Sequence, residues 1–216
     1  HALVWKIAQS PLVDVIFCAP GNAGIAKQAQ CVAIPADNVA ALLHFAKAEK
    51  IDLTVVGPEA PLVKGIVNLF TDEGLKIIGP TREAAELEGS KVYCKNIARK
   101  YGIPTANSRV FTHSRSAIAF LSSCSYPLVV KADGLAGGKG VIICNTSSEA
   151  VVAIEGIMEK RIFGDAGRQL IIEEFLAGHE ASIIALTDGK SIAVLETTQD
   201  HKRVNDGNKG PNTGGM

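Results

Sequence analysis

The ten residues Lys131-Ala-Asp-Gly-Leu-Ala-Gly-Gly-Lys-Gly140 set two ammonium groups among four glycines. Leu128-Val-Val130 ahead of them reads as a buried strand, and Val141-Ile-Ile-Cys144 behind them reads as the returning strand, so the glycines lie in a strand-to-strand loop. Glycine lets a backbone come close to a ligand and aim its N–H groups at it, and lysine adds a compact positive charge. Together they form a cradle for a triphosphate. A Walker loop is excluded by context: its G-x-x-x-x-G-K-[ST] must open a helix, and here Lys139 is followed by Gly140 and a strand. A plain hairpin would close with two residues such as Asn-Gly and needs none of this.

The elements that must carry the loop follow from periodicity. Over the first 80 residues strands alternate with helices: strands at 13–19, 31–34, 53–56 and 76–80, and helices at 1–10, 39–50 (capped by Asp37 or Asn38) and 62–72. That alternation predicts a parallel sheet with helices on both faces, and such a sheet binds ligands at the carboxyl ends of its strands. The turns 20–24, 57–61 and Gly79-Pro80 fall there. Residues 81–102 read as two helices, the second opening at Ser90-Lys91 and ending at Gly102. A helix at 114–124, a capping box Thr146-Ser-Ser-Glu149 leading into a helix to 161, and a strand at 168–176 follow. Strands 181–186 and 192–196 flank Asp188-Gly189, a type I′ hairpin signal.

The chain has 216 residues, 47% hydrophobic and 20% charged, with 22 basic against 22 acidic side chains. This is the composition of a folded soluble α/β protein. The balanced charge, without a basic run, argues against nucleic acid or an anionic membrane as partner, and no apolar stretch has the roughly 20 residues of a membrane helix. Cys18, Cys31, Cys94, Cys124 and Cys144 are scattered without metal or redox spacing, which suits a reducing, cytoplasmic setting. The start on a helix without methionine and the stop in a glycine-rich loop at Met216 imply truncation or disorder at both ends.

The loop resembles that of the ATP-grasp fold. Pro20-Gly-Asn-Ala-Gly24, Gly57-Pro-Glu-Ala-Pro-Leu62, Ile103-Pro-Thr105, the 131–140 loop, Gly178-His-Glu-Ala-Ser182, Gln199-Asp-His-Lys-Arg203 and Gly210-Pro-Asn-Thr-Gly-Gly-Met216 together resemble, in order and over nearly the whole chain, the phosphoribosylamine-glycine ligase family. The resemblance implies a parallel α/β N-terminal domain at 1–88, then an ATP-grasp domain at 89–216 with a lid at about 107–173 and its C-terminal part missing. It implies ATP-dependent ligation of glycine to 5-phosphoribosylamine through a glycyl phosphate, a step of purine synthesis.

Site residues follow from the same resemblance. Lys91 and Lys131 would contact the nucleotide phosphates, and Lys139 with the amides of Gly137, Gly138 and Gly140 would cover them. Glu173 would reach the adenine amino group, Phe175 and Leu176 would line the adenine slot, and Glu180 would hold the ribose hydroxyls. Asp200, Lys202 and Arg203 would act on the reacting groups. Asn212, Thr213, Gly214 and Gly215, with Pro20, Gly21, Asn22, Gly24, Gly57, Pro58 and Glu59, would bind substrate. Two positions depart from the family pattern: His179 stands where glutamate is expected, and Gly137 where alanine is commoner. Phosphoryl transfer needs Mg2+ or Mn2+, and the family's ligands would lie beyond Met216. Glu173 and Glu174 alternate on one strand and cannot chelate together, so no metal ligand is assigned within the chain. Two other readings stay open: a different ATP-grasp ligase or carboxylase, and a nucleotide-binding fragment without activity.

Overall fold

Glycine and proline cut the first 89 residues into short elements. A computed structural model of the chain, which describes residues 1–201, 203–207 and 209–212, divides it into two compact units, His1–Gly89 and Ser90–Met216. The first contains α1 (Ala2–Ile7), β1 (Phe17–Cys18), β2 (Gln30–Cys31), α2 (Val39–Ala48), β3 (Thr54–Val55), α3 (Glu59–Val63), α4 (Ile66–Asp72), β4 (Ile77–Ile78) and α5 (Arg82–Gly89).

Both strand pairs of this unit, β1 with β2 and β3 with β4, are parallel, as the alternation of strand and helix predicts. They are nevertheless two separate two-stranded sheets rather than one. Each strand is only two residues long, because the flanking apolar residues are not covered: Val15 in the expected first strand is 57% exposed. The core instead joins α2 and α4 to the β3–β4 pair, with Ala46, Ile66, Val67 and Phe70 packed against Leu42, Leu43, Val56 and Ile77. Asn38 Oδ1 caps α2 by accepting from Ala41 N at 3.2 Å; Asp37 instead pairs with Lys64 at 2.7 Å. The helix expected at 62–72 starts earlier, with Glu59 in its first turn, and breaks at Gly65, whose φ of 83° is left-handed. The Arg82 guanidinium fills the space a Cβ there would need.

The second unit contains α6 (Lys91–Lys100), β5 (Ser108–Phe111), α7 (Ser114–Phe120), β6 (Leu128–Ala132), β7 (Val141–Cys144), α8 (Ser147–Met158), β8 (Leu170–Glu174), β9 (Ala185–Thr187), β10 (Ile192–Val194), β11 (Arg203–Asn205) and β12 (Lys209–Asn212). Ser90 caps α6 by accepting from Tyr93 N, and Thr146 caps α8 by accepting from Glu149 N. Strands β5, β8, β6 and β7 form one antiparallel sheet in that spatial order. Strand alternation divides it into two faces. Leu128, Val130, Ala132, Leu170 and Ile172 pack under Ala150, Ile154 and Ile157 of α8 and Ala117 of α7. Val129, Lys131, Ile171 and Glu173 occupy the other face, where Lys131 and Glu173 bring charge to the sheet.

One sequence expectation in this unit is corrected. The hairpin after Thr187 closes through four residues, because Thr187 pairs with Ile192; Asp188 Oδ1 accepts from Lys190 N and Ser191 N and stabilises that wider loop, so the two-residue type I′ turn does not form. The segment from Lys209 to Asn212 is a strand, pairing antiparallel with β11 so that Arg203 stands opposite Asn212; the glycine-rich loop expected at 213–216 lies outside the described residues.

Candidate functional site

The loop between β6 and β7 is held at both ends. Ala132 N donates to Gly140 O at 2.9 Å and Lys139 N to Ala136 O at 3.1 Å. Gly137 and Gly138 have φ of 56° and 74°, two successive left-handed residues that side chains disfavour. They and Lys139 are exposed.

Asp133, 9% exposed, braces this loop against α6. Its Oδ1 accepts from Val92 N at 2.8 Å and from Ser90 Oγ at 3.0 Å, and its Oδ2 accepts from Gln169 Nε2 at 3.0 Å. A carboxylate at the first turn of a helix also opposes the helix dipole. Lys91 works from the other side: its ammonium donates to Gly134 O at 3.0 Å and Asp133 O at 3.3 Å.

Lys131 leaves the sheet on the face opposite the core and lies 2.6 Å from Glu173 Oε2. Register places Lys131 opposite Ile171 and Glu173 opposite Val129, so the pair is diagonal across β6 and β8. Glu173 is 4% exposed. Its Oε1 lies 3.1 Å from Lys95 Nζ, within ion-pair range though outside hydrogen-bond geometry. The Lys95 ammonium donates to Thr105 Oγ1 at 2.6 Å and Ala106 O at 3.0 Å. Two lysines on one buried carboxylate leave the site a net positive charge, which suits an anionic ligand. Glu174 points the other way, exposed, and accepts from Asn107 N at 2.7 Å. The two glutamates therefore cannot share a cation, and among the described residues no group of three or more His, Cys, Asp or Glu is gathered. Glu173, engaged by Lys131 and Lys95, and Glu174, turned to the other side, do not as a pair fit a divalent metal.

A second feature is built by the hairpin base. Ser182 and Thr198 form an antiparallel bridge, with N–H···O distances of 2.7 and 2.9 Å. The bridge brings residues 178–180 beside 199–201, although some 20 residues of chain separate them. A cleft of about 710 Å³ results, lined by Gly178, His179, Glu180, Asp200 and His201 together with Asn205 and Asp206. Glu180 and Asp200, expected from the sequence, meet here; Phe175 and Leu176 precede it, 40% and 66% exposed. Lys202, Thr213, Gly214 and Gly215 lie outside the described residues; Arg203 and Asn212 are placed as backbone partners of β11 and β12.

In the first unit, the Asn22 side chain accepts from Gly24 N and Ile25 N, both at 3.0 Å, and shapes the loop from Pro20 to Gly24. Gly57 and Pro58 follow β3, and Glu59 opens α3.

Lys95 and Asp133 were not singled out by the sequence. Lys95 sits one turn after Lys91 on the same helix face, a spacing that offered the signal. Asp133 lay inside the loop motif, but its role depends on partners 41 to 43 residues upstream.

The order of these features agrees with two family models. The phosphoribosylglycinamide synthetase N domain matches residues 1–88, and the ATP-grasp (A) domain of the same synthetase matches residues 89–216. The chain belongs to the phosphoribosylglycinamide synthetase family. Among its relatives, the phosphoribosylamine-glycine ligase of Escherichia coli K12 is 55% identical over the whole of this chain and 51% of its own length. The crystal structure of phosphoribosylamine-glycine ligase from Thermotoga maritima is similar with a TM-score of 0.79 and 32% identity, over 100% of this chain and 51% of that one. The N5-carboxyaminoimidazole ribonucleotide synthetase of Thermus thermophilus, 21% identical with a TM-score of 0.68 over 92% of this chain and 51% of its own, shares the fold. The chain thus spans about half the length of the phosphoribosylglycinamide synthetase relatives it matches. No helix among the described residues is long and apolar enough to cross a membrane.

Proposed function

We propose that the protein carrying this chain joins glycine to 5-phosphoribosylamine at the expense of ATP, giving glycinamide ribonucleotide, ADP and phosphate for purine synthesis. The observation that carries this reading is the 55% identity across the entire chain to a ligase of that name. A glycine carboxylate oxygen attacks the γ-phosphorus and ADP leaves; the sugar amine then attacks the acyl carbon and phosphate departs.

Residues of the second unit bind the nucleotide. Lys131 and Lys91 neutralise its phosphates, with Lys95 beside them. Lys139 and the amides of Gly137, Gly138 and Gly140 lie over the β- and γ-phosphates. Glu173 receives the adenine amino group, Phe175 and Leu176 flank the ring, and Glu180 holds the ribose. Asp200, in the cleft beside it, orients the amino acid and the sugar amine, a task we assign also to Lys202 and Arg203. Asn212, Thr213, Gly214 and Gly215 complete the acceptor contacts. In the first unit, Pro20, Gly21, Asn22 and Gly24, with Gly57, Pro58 and Glu59, hold the sugar phosphate.

Residues 107–173 act as a lid that closes over ATP and keeps water from the acyl phosphate. The phosphates require Mg2+ or Mn2+, whose ligands we place beyond Met216. The substrates are small molecules, with neither nucleic acid nor membrane as partner, and the five free thiols suit a cytoplasmic enzyme.

ADP release by the full-length protein, measured with glycine and 5-phosphoribosylamine omitted in turn, tests the assignment. Turnover requiring both supports it, and turnover indifferent to glycine overturns it.

A further inference from the structure

Two thiols face each other in the first unit. Parallel pairing of β1 and β2 sets Cys18 in register with Cys31, and the bonds Gln30 N to Ile16 O at 2.8 Å and Val32 N to Cys18 O at 2.9 Å fix that register. Directly paired residues on neighbouring strands project to the same face, with main chains about 4.8 Å apart. That spacing lies inside the roughly 4.4–6.8 Å Cα range of a disulfide. The two sulfurs also sense one another: burial first, and then Cys31, raise the Cys18 thiol above its ordinary value. Both cysteines are free, Cys31 exposed and Cys18 half-buried.

Cys31 also touches the loop that follows β1. Its thiol donates to Asn22 O at 3.7 Å, and its sulfur occupies the space a Cβ on Gly21 would need, at a residue whose φ is 77°. Any change at this sulfur therefore acts on the backbone of Gly21 and Asn22.

We propose that Cys18 and Cys31 are a peroxide-responsive dithiol, whose oxidation to a disulfide reshapes the 20–24 loop and weakens the binding of a phosphorylated sugar there. The binding half of this statement rests on the role given to that loop above. The Cys31 thiolate attacks one oxygen of a hydroperoxide, the O–O bond breaks, and the departing hydroxide or alkoxide takes a proton. The Cys18 sulfur then attacks the resulting sulfenic acid at sulfur, the S–O bond breaks, and water leaves. Two thiols and one peroxide thus give one disulfide, one water and one further water or alcohol. Parallel pairing holds the Cβ atoms farther apart than the roughly 3.8 Å mean of a disulfide. Closing the bond must therefore draw the Cys31 sulfur off the loop, and the strained product is easily reduced.

The test uses the full-length protein, hydrogen peroxide and peptide mapping. Expected is a cross-link between tryptic peptides 7–27 and 28–47, about 2 Da lighter than their sum. With it the KM for 5-phosphoribosylamine should rise at least about tenfold with kcat little changed, and dithiothreitol should restore it. Cys31→Ser should lose the peroxide response, while Cys18→Ser should stop at a Cys31 sulfenic acid that dimedone traps. Recovery of both thiols intact at peroxide levels that oxidise the exposed Cys94 would overturn the pair. A cross-link with an unchanged KM would overturn instead the coupling to the 20–24 loop, and with it the place of that loop in the substrate site.

Discussion

The Lys131 ammonium lies 2.6 Å from one oxygen of Glu173, and Lys95 lies 3.1 Å from the other, so a single buried carboxylate holds two cations on the sheet face opposite the core. A buried charge stripped of its partner is costly, because its desolvation is no longer offset. Glu173→Gln should therefore lower stability by about 2–4 kcal/mol, with Lys95, only 11% exposed, as the main sufferer. Thermal and urea unfolding of the variant measure the loss, and an unchanged midpoint would contradict the account.

Asp133→Asn keeps the size of the side chain but removes its charge and one acceptor. The new amide would face either Gln169 Nε2 or the donors at the start of α6. A loss of about 1–2 kcal/mol is expected. Because the loop then shifts against Lys91, KM for ATP should rise more than kcat falls, and equal effects on both would argue that Asp133 serves stability alone.

Lys139 is exposed, and its side chain forms no hydrogen bond or ion pair among the described residues. Lys139→Ala should therefore leave stability within about 0.5 kcal/mol. It should raise the apparent KM for ATP about tenfold, the worth of one phosphate contact. Unchanged ATP dependence would remove Lys139 from the nucleotide site.

Burial pushes the Cys144 thiol up to about 11 from its ordinary 9.0. A thiol whose folded value exceeds its unfolded one contributes stability that is complete below about pH 9. That contribution fades as pH rises through 11, because the unfolded chain ionises first. On the order of 2 kcal/mol should be lost across that window. Unfolding of Cys144→Ala against pH, compared with the parent chain, isolates this slope; a parent slope equal to the variant's would refute it. At pH 8, iodoacetamide should label Cys31 and Cys94 while Cys144 stays unmodified.

Local chemistry was legible in the sequence, and long-range pairing was not. The strand-loop-strand around Lys131 and Lys139 was readable because β-branched runs and glycines are contiguous signals, and so were the Thr146 cap, the helix start at Ser90 and a cap at Asp37 or Asn38, of which the structure uses Asn38. The brace at Asp133 and the position of Lys95 depend on residues brought together by folding, which no periodicity encodes. The strands of the first unit are shorter than its apolar runs imply, since such a run forms a strand only where something covers it, and Val15 is uncovered. At Asp188-Gly189 the dipeptide signal for a tight turn lost to the Asp188 carboxylate, which stabilises a wider loop with two backbone bonds.

On the function proposed above, the protein that carries this chain activates glycine as its acyl phosphate. Turnover of the full-length protein with glycine labelled by oxygen-18 in its carboxylate, ATP and 5-phosphoribosylamine tests this directly. The account predicts one labelled oxygen in each inorganic phosphate released, because the carboxylate oxygen that attacks phosphorus leaves with it. Product amide formed with unlabelled phosphate would contradict it.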